Sequence, residues 1–366
     1  VKKLIPFLIF SLSFKALAGA PANYSSLRNL ILRTTSRDVI GWVNGLVKES
    51  APSRMIGHPG HERAVDYLKK EIAILDPKNT GKLIVSSTSA DVSEIKSFYQ
   101  KDFDEKVEGK IPKGHPDYLK WFKVVSSMQA LAETKKGSLV QNITWEKAGL
   151  DPKKMLVIAA HYDTISHDKS SLMVKEHEPM PGANYNASGV AVALGLIRTL
   201  AQIDLNYSVR VVFLDWQGIG FHGSYLYARE LKGLGKEIMG IVNLEMIGQD
   251  TSYFDKTKKN GNMCVYLRNN SDESRWVKKL IEHGSQITTK VSFEMRPNGF
   301  ENSDNFRFWD AGFLSSTFSQ NWEEDFNPKF YQTSQDTPET LNHETLWHSY
   351  QYVTGAVVGT LLDLTR

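Results

Sequence analysis

Between Pro181 and Leu200 the chain runs PGANYNASGVAVALGLIRTL. Its second half, Val190-Ala191-Val192-Ala193-Leu194 followed by Leu196 and Ile197, leaves no face for water, so a helix here belongs in the interior of a sizeable domain. Its first half is a turn of small residues carrying amide and hydroxyl groups. Asn186 or Ser188 can cap the first helical turn, and the N–H groups there favour a polar or anionic neighbour. A polar turn is thus held at the centre of the fold on a buried support, and the other elements have to be arranged around it.

The remaining pattern says what those elements are. Met155–Ala160, Val209–Leu214, Ile241–Met246 and Met263–Leu267 are short apolar runs of buried-strand length, and Lys82–Ser87 is a further strand. Helices are expected at Leu27–Leu46, His61–Leu75, 188–200, 223–232, 272–288 and from His343 to about Leu364. Strands alternating with helices imply a largely parallel sheet covered on both faces, whose function gathers at the strand carboxyl ends. His161-Tyr162-Asp163, Asp215-Trp216-Gln217 and Glu245 stand at three such ends. Residues 90–136, rich in charges and aromatics, interrupt the rhythm and are expected to be a mostly helical insertion with a helix at Asp117–Thr134.

A length of 366 residues suits one large α/β domain. The net charge of +3, with acids and bases interspersed, gives no argument for nucleic acid. Lys2 and Lys3 precede an apolar run from Leu4 to Phe14, and Ala16-Leu17-Ala18 has the small-x-small form of a signal-peptidase site. Residues 1–18 are therefore expected to be a signal peptide, leaving 19–366 as a single exported domain, periplasmic or secreted. No other run is long enough to span a membrane. Cys264 is the only cysteine, so an intrachain disulfide is excluded.

Five blocks, in order, resemble those of the two-zinc exopeptidases that include bacterial leucyl aminopeptidases, aminopeptidase Y and glutamate carboxypeptidase II. They are His161-Tyr162-Asp163, Gly182-Ala183-Asn184-Tyr185-Asn186-Ala187-Ser188-Gly189, Phe213 to Ser224, Asn243-Leu244-Glu245-Met246-Ile247-Gly248, and Tyr331-Gln332-Thr333 with Asp336-Thr337. Ser303-Asp304-Asn305-Phe306 echoes a sixth. The resemblance implies a three-layer α/β/α sandwich with a mixed, mostly parallel sheet of about eight strands. It also implies a metal centre, which falls on His161, Tyr185, Gly218, Glu245 and Gln332, with Gln217 in the general-base position and Asp163 orienting His161.

Most of those positions hold the wrong chemistry. A phenol titrating near ~10 is no anionic bridge, Gly218 has no side chain, and the Gln332 amide is a poor zinc donor beside imidazole or carboxylate. Gln217 cannot take a proton from water. Only His161 and Glu245 retain ligating ability, fewer than the three protein ligands usual even in catalytic sites. The expectation is a pseudopeptidase without a bound cofactor, holding a peptide or protein ligand in a cleft made by His161, Tyr185, Trp216, Gln217, Glu245 and Gln332, with the Tyr185 ring packing over Trp216. The alternative is an active metallo-exopeptidase that uses zinc with one metal or with relocated ligands such as His222. Glutaminyl-cyclase activity, a single-zinc variant, would need the positions held by Tyr185, Gly218 and Gln332.

Overall fold

The computed structural model describes residues 19–250, 262–297, 299–300, 302–323 and 328–365. The expected signal segment, 1–18, lies outside the described residues. Strands β1 (Lys82–Ser89), β2 (Leu139–Lys147), β3 (Asp151–His161), β4 (Tyr207–Leu214), β5 (Glu237–Glu245), β6 (Asn262–Tyr266), β7 (Ser292–Arg296) and β8 (Ser315–Gln320) form one sheet, ordered β1-β2-β4-β3-β5-β8-β6-β7. The central neighbours β4, β3, β5 and β8 are parallel, as is β6 with β7, while β1, β2 and β6 bring in antiparallel pairings. The sheet is mixed, with the parallel part at its middle.

Helices are α1 (Tyr24–Ile31), α2 (Ser36–Glu49), α3 (Pro59–Leu75), α4 (Val92–Lys106), α5 (Pro116–Thr134), α6 (Ser188–Leu200), α7 (His222–Gly233), α8 (Ser271–Ile287), α9 (Asn305–Asp310) and α10 (His343–Leu361). Side-chain alternation along β3 separates two cores. Leu156, Ile158 and Ala160 face the larger one, shared with α2, α3, α6, α8 and α10. Met155, Val157 and Ala159 face the other, closed by Tyr227 of α7 and Phe308 of α9. Three layers result. In α6 every residue except Arg198 is buried, so its all-round apolar sequence is matched by all-round packing.

Two expectations of detail change. The helix expected over Leu27–Leu46 is two helices, α1 and α2, because Thr35 and Asp38 form a capping box: the Thr35 N–H donates to Asp38 Oδ2 at 2.7 Å and the Asp38 N–H to Thr35 Oγ1 at 3.3 Å. Between β1 and β2, α4 and α5 lie against each other and bury Phe103, Val107 and Tyr118 in a small core of their own. Their inner faces also carry Phe98, Tyr99, Val124 and Met128 toward the strand ends.

Candidate functional site

The turn before α6 is pinned from three sides. Asp336 accepts the N–H groups of Asn184 and Tyr185, both at 2.9 Å. Asn186 Oδ1 accepts from Gly189 N–H in the first turn of α6 at 3.2 Å and from Met246 N–H at 3.0 Å, while the cap position itself is Ala187. The Ser188 hydroxyl donates to the Asn184 carbonyl at 2.9 Å and accepts from Ile247 N–H at 3.1 Å. Arg54, fully buried, donates to the carbonyls of Tyr162, Pro181 and Gly182 at 2.6–2.8 Å. The polar residues of the turn are thus spent on fixing the backbone to the ends of β3 and β5, which sets Tyr185 in place.

At the end of β3, His161 is held between two carboxylates. Its Nε2 lies 3.1 Å from Glu245 Oε1, and its Nδ1 faces the Asp163 carbonyl at 3.1 Å and Asp163 Oδ1 at 3.5 Å. Burial opposes the imidazolium, but Glu245 and Asp163 outweigh it and push the His161 pKa up to about 10. Burial likewise opposes the Asp163 carboxylate, yet His161 and the N–H groups of Gly218 and Gln217, each 3.0 Å away, hold it below the usual carboxylate range. The remaining Glu245 oxygen accepts from the Ser303 hydroxyl at 3.2 Å.

Tyr185 covers this pair. Its ring centroid is 4.8 Å from that of His161, edge-on, and 5.5 Å from that of Tyr331. The hydroxyl donates to Gln217 Oε1, and the Gln332 amide lies beside it. Burial first, then the nearby Tyr331, Glu245 and Asp163, lift the phenol well above its ordinary range, so it is neutral. Above Tyr185 opens a cavity of about 220 Å³. Tyr185, Gln217, Gln332 and His167 line its floor, and aromatic residues from α4 and neighbouring loops form its walls.

His161, Tyr185, Gln217, Glu245 and Gln332 therefore come together at the strand ends, but in two storeys: His161 and Glu245 lie beneath Tyr185 and do not line the cavity. Trp216 is a correction. With φ +55 it donates its indole N–H to the Leu139 carbonyl at 3.1 Å and does not line the cavity, although it is buried in the same apolar cluster as Tyr185. His222 is fully buried with both ring nitrogens engaged, Nδ1 with Glu94 Oε2 at 2.9 Å and Nε2 accepting the Asp91 N–H at 3.0 Å. His61 is bound to Asp215 at 2.7 Å. Ser303 and Tyr331 stand in the quoted sequence blocks without a role assigned to them, and the structure gives them one; Ile165 belongs to no block. Ile165 matters because a Cβ at Gly218 would lie 2.8 Å from its own Cβ, so it fills the room a side chain at 218 would use.

The sheet order, the pinned turn before a buried helix and the strand-end cluster define an α/β sandwich of the zinc-exopeptidase type. The chain belongs to peptidase family M28, whose sequence pattern matches residues 142–357. Aminopeptidase YwaD of Bacillus subtilis is 26% identical over 209 residues, 56% of this chain and 40% of that protein. A probable zinc metalloprotease of Pyrenophora tritici-repentis is 30% identical over 101 residues, 28% of this chain and 20% of that protein. The matched stretches thus span well under half the length of these relatives. Among solved structures, LapB from Legionella pneumophila superposes with a TM-score of 0.65 at 17% identity, covering 93% of this chain and 76% of that one. The zinc aminopeptidase BSAP from Bacillus subtilis gives 0.64 at 18%, covering 90% and 96%. A glutaminyl cyclase of Bacteroides thetaiotaomicron gives 0.58 at 17%, covering 89% and 97%. At these identities the likeness is one of fold.

The donor set does not fit the zinc pair that the family resemblance implies. No cluster of three or more His, Cys, Asp or Glu side chains with ligating geometry occurs among the described residues. The two ligating residues of the cluster have turned to each other, and the third position carries a neutral ring over them.

Proposed function

We propose that this chain is a non-catalytic member of its family that binds a peptide or protein ligand in the inherited strand-end cleft. The observation that carries this is the contact between His161 Nε2 and Glu245 Oε1 at 3.1 Å beneath the Tyr185 ring. A lone pair that would ligate zinc is spent within the protein, and a phenol held neutral by burial stands where a bridging carboxylate is needed. Gln217 cannot act as general base, and losing that group alone costs about 10²–10⁴ in rate. An active enzyme with relocated ligands gains no support from His222, whose ring nitrogens both have protein partners.

Hydrolysis of a panel of aminoacyl-anilides by the full chain, with and without chelator, tests the proposal. The expected result is no chelator-sensitive cleavage. Sustained cleavage that chelator abolishes and zinc restores overturns it. We propose further that the protein is exported and cleaved after Ala18. Protein recovered from the periplasm or medium should begin at Gly19, and an unprocessed cytoplasmic chain would contradict this.

A further inference from the structure

We infer that the cavity over Tyr185 accepts an uncharged residue, an apolar or aromatic side chain flanked by neutral amides, and rejects both a free α-ammonium group and a free carboxylate. This deepens the proposed function and rests on the cleft being a peptide-binding one.

The floor of the cavity holds polar groups without charge. Gln217, Gln332 and Asn302 are amides, Tyr185 is a phenol whose hydroxyl donates to Gln217 Oε1, and His167 is tied to Gln332 through its backbone N–H at 3.2 Å. The charged groups nearby are already matched. Asp102 and Lys106, the charged residues among the described lining, lie 2.7 Å apart. Below Tyr185 the His161 imidazolium lies between the Glu245 and Asp163 carboxylates, and the second negative charge is met by the N–H groups of Gln217 and Gly218 on Asp163. Among the described residues, an ammonium entering this space would lose its water and find no carboxylate without a partner to meet it, and a carboxylate would find no such cation.

Aromatic walls can hold a cation by its attraction to ring faces, so that possibility has to be weighed. Here the Arg307 guanidinium already sits 4.0 Å from the centroid of the Phe98 ring, itself a wall of the cavity, and is paired to Glu94 at 3.0 Å. A second cation against that wall would meet repulsion from the first. What the walls offer instead is apolar contact area from Phe98, Tyr99, Phe306 and Tyr331. The amides on the floor supply donors and acceptors suited to a peptide group. The volume, about 220 Å³, falls below the roughly 300–1,000 Å³ of pockets for drug-sized ligands. It suits one residue and its flanking amides.

Calorimetric titration of the full chain at neutral pH with three probes separates the cases: N-acetyl-phenylalanine methylamide, phenylalanine methylamide with its free ammonium, and N-acetyl-phenylalanine with its free carboxylate. The first is expected to bind at least ~10-fold more tightly than either charged probe. Gln217→Glu places a carboxylate on the floor and is expected to shift the preference toward the ammonium probe. Preference for the ammonium probe in the unaltered protein overturns the inference while leaving a peptide-binding cleft intact. An unchanged preference in Gln217→Glu also overturns it, by locating the ligand elsewhere. Absence of binding by all three at millimolar concentration overturns both the inference and the peptide-binding function.

Discussion

His161 and Glu245 meet directly, imidazole Nε2 to carboxylate Oε1 at 3.1 Å, in a place sealed from solvent. Two side chains that could each direct a lone pair at a metal instead complete each other's charge. The Ser303 hydroxyl and Asp163 saturate the remaining valences of the pair, and the Tyr185 ring closes it off. A buried pair of this kind is weak evidence for stability, but breaking one half of it is costly, because the surviving charge has no water to turn to.

Removing both partners should therefore cost less than the two single removals added together. His161→Ala or Glu245→Ala is expected to destabilise the fold by about 3–5 kcal/mol. The double substitution His161→Leu with Glu245→Leu should cost less than the sum of the corresponding single changes. Denaturant unfolding of the two leucine single variants and the double checks this, and strict additivity would show that the pair is not coupled.

The backbone at Gly218 leaves no room for a side chain beside Ile165. A Cβ there would collide with Ile165, so Gly218→Ala is expected to cost about 1–3 kcal/mol as overpacking. Tyr185→Asp, Gly218→Glu and Gln332→His together should gain strong zinc affinity only when Ile165→Gly is added, because the nearest obstructing atom is the Ile165 Cβ itself. Zinc titration of the triple and quadruple variants checks it; equal affinity would remove Ile165 from the account.

Much of this was legible in the sequence. The apolar run 190–197 required a buried helix, and the strand-end residues His161, Gln217 and Glu245 do meet, because parallel strands followed by helices bring their carboxyl ends to one edge. The chemistry of Tyr185, Gly218 and Gln332 was readable from residue type alone. What sequence could not give was direction. Trp216 sits next to Gln217 in the chain, yet its left-handed backbone sends the indole to Leu139. Ile165 follows the His161 block and carries no motif, so its occupation of the space beside Gly218 emerges only from packing. The strands Leu139–Lys147, Ser292–Arg296 and Ser315–Gln320 were not picked out. Their polar residues hide the strand period, as in SSTFSQ, where all six residues are buried.

Asp304 is expected to make the protein sensitive to pH. It is fully buried, and neither oxygen has a proper hydrogen-bond donor: the nearby Ser224 hydroxyl is committed to the Phe221 carbonyl. Burial, with Glu245 and Asp163 adding and His161 opposing, pushes its pKa up to about 7. A carboxyl whose folded value is raised favours the folded state below its unfolded pKa of about 4, and that advantage is lost as pH rises through about 7. Asp304→Asn should remove this loss, on the order of a few kcal/mol. Its gain in melting temperature over the parent should then be larger at pH 8 than at pH 4, each value being a setting of the experiment at about that pH. An identical pH dependence in both proteins would contradict the assignment.

On the proposed function, an internal ion pair under a neutral ring stands where the family's metal centre is expected. Calorimetric titration of zinc into the full chain, dialysed against chelator and then against buffer at neutral pH, tests it most directly. The account predicts no saturable zinc site of sub-micromolar affinity. Tight binding of one or two zinc ions per chain, lost in His161→Ala, would contradict it.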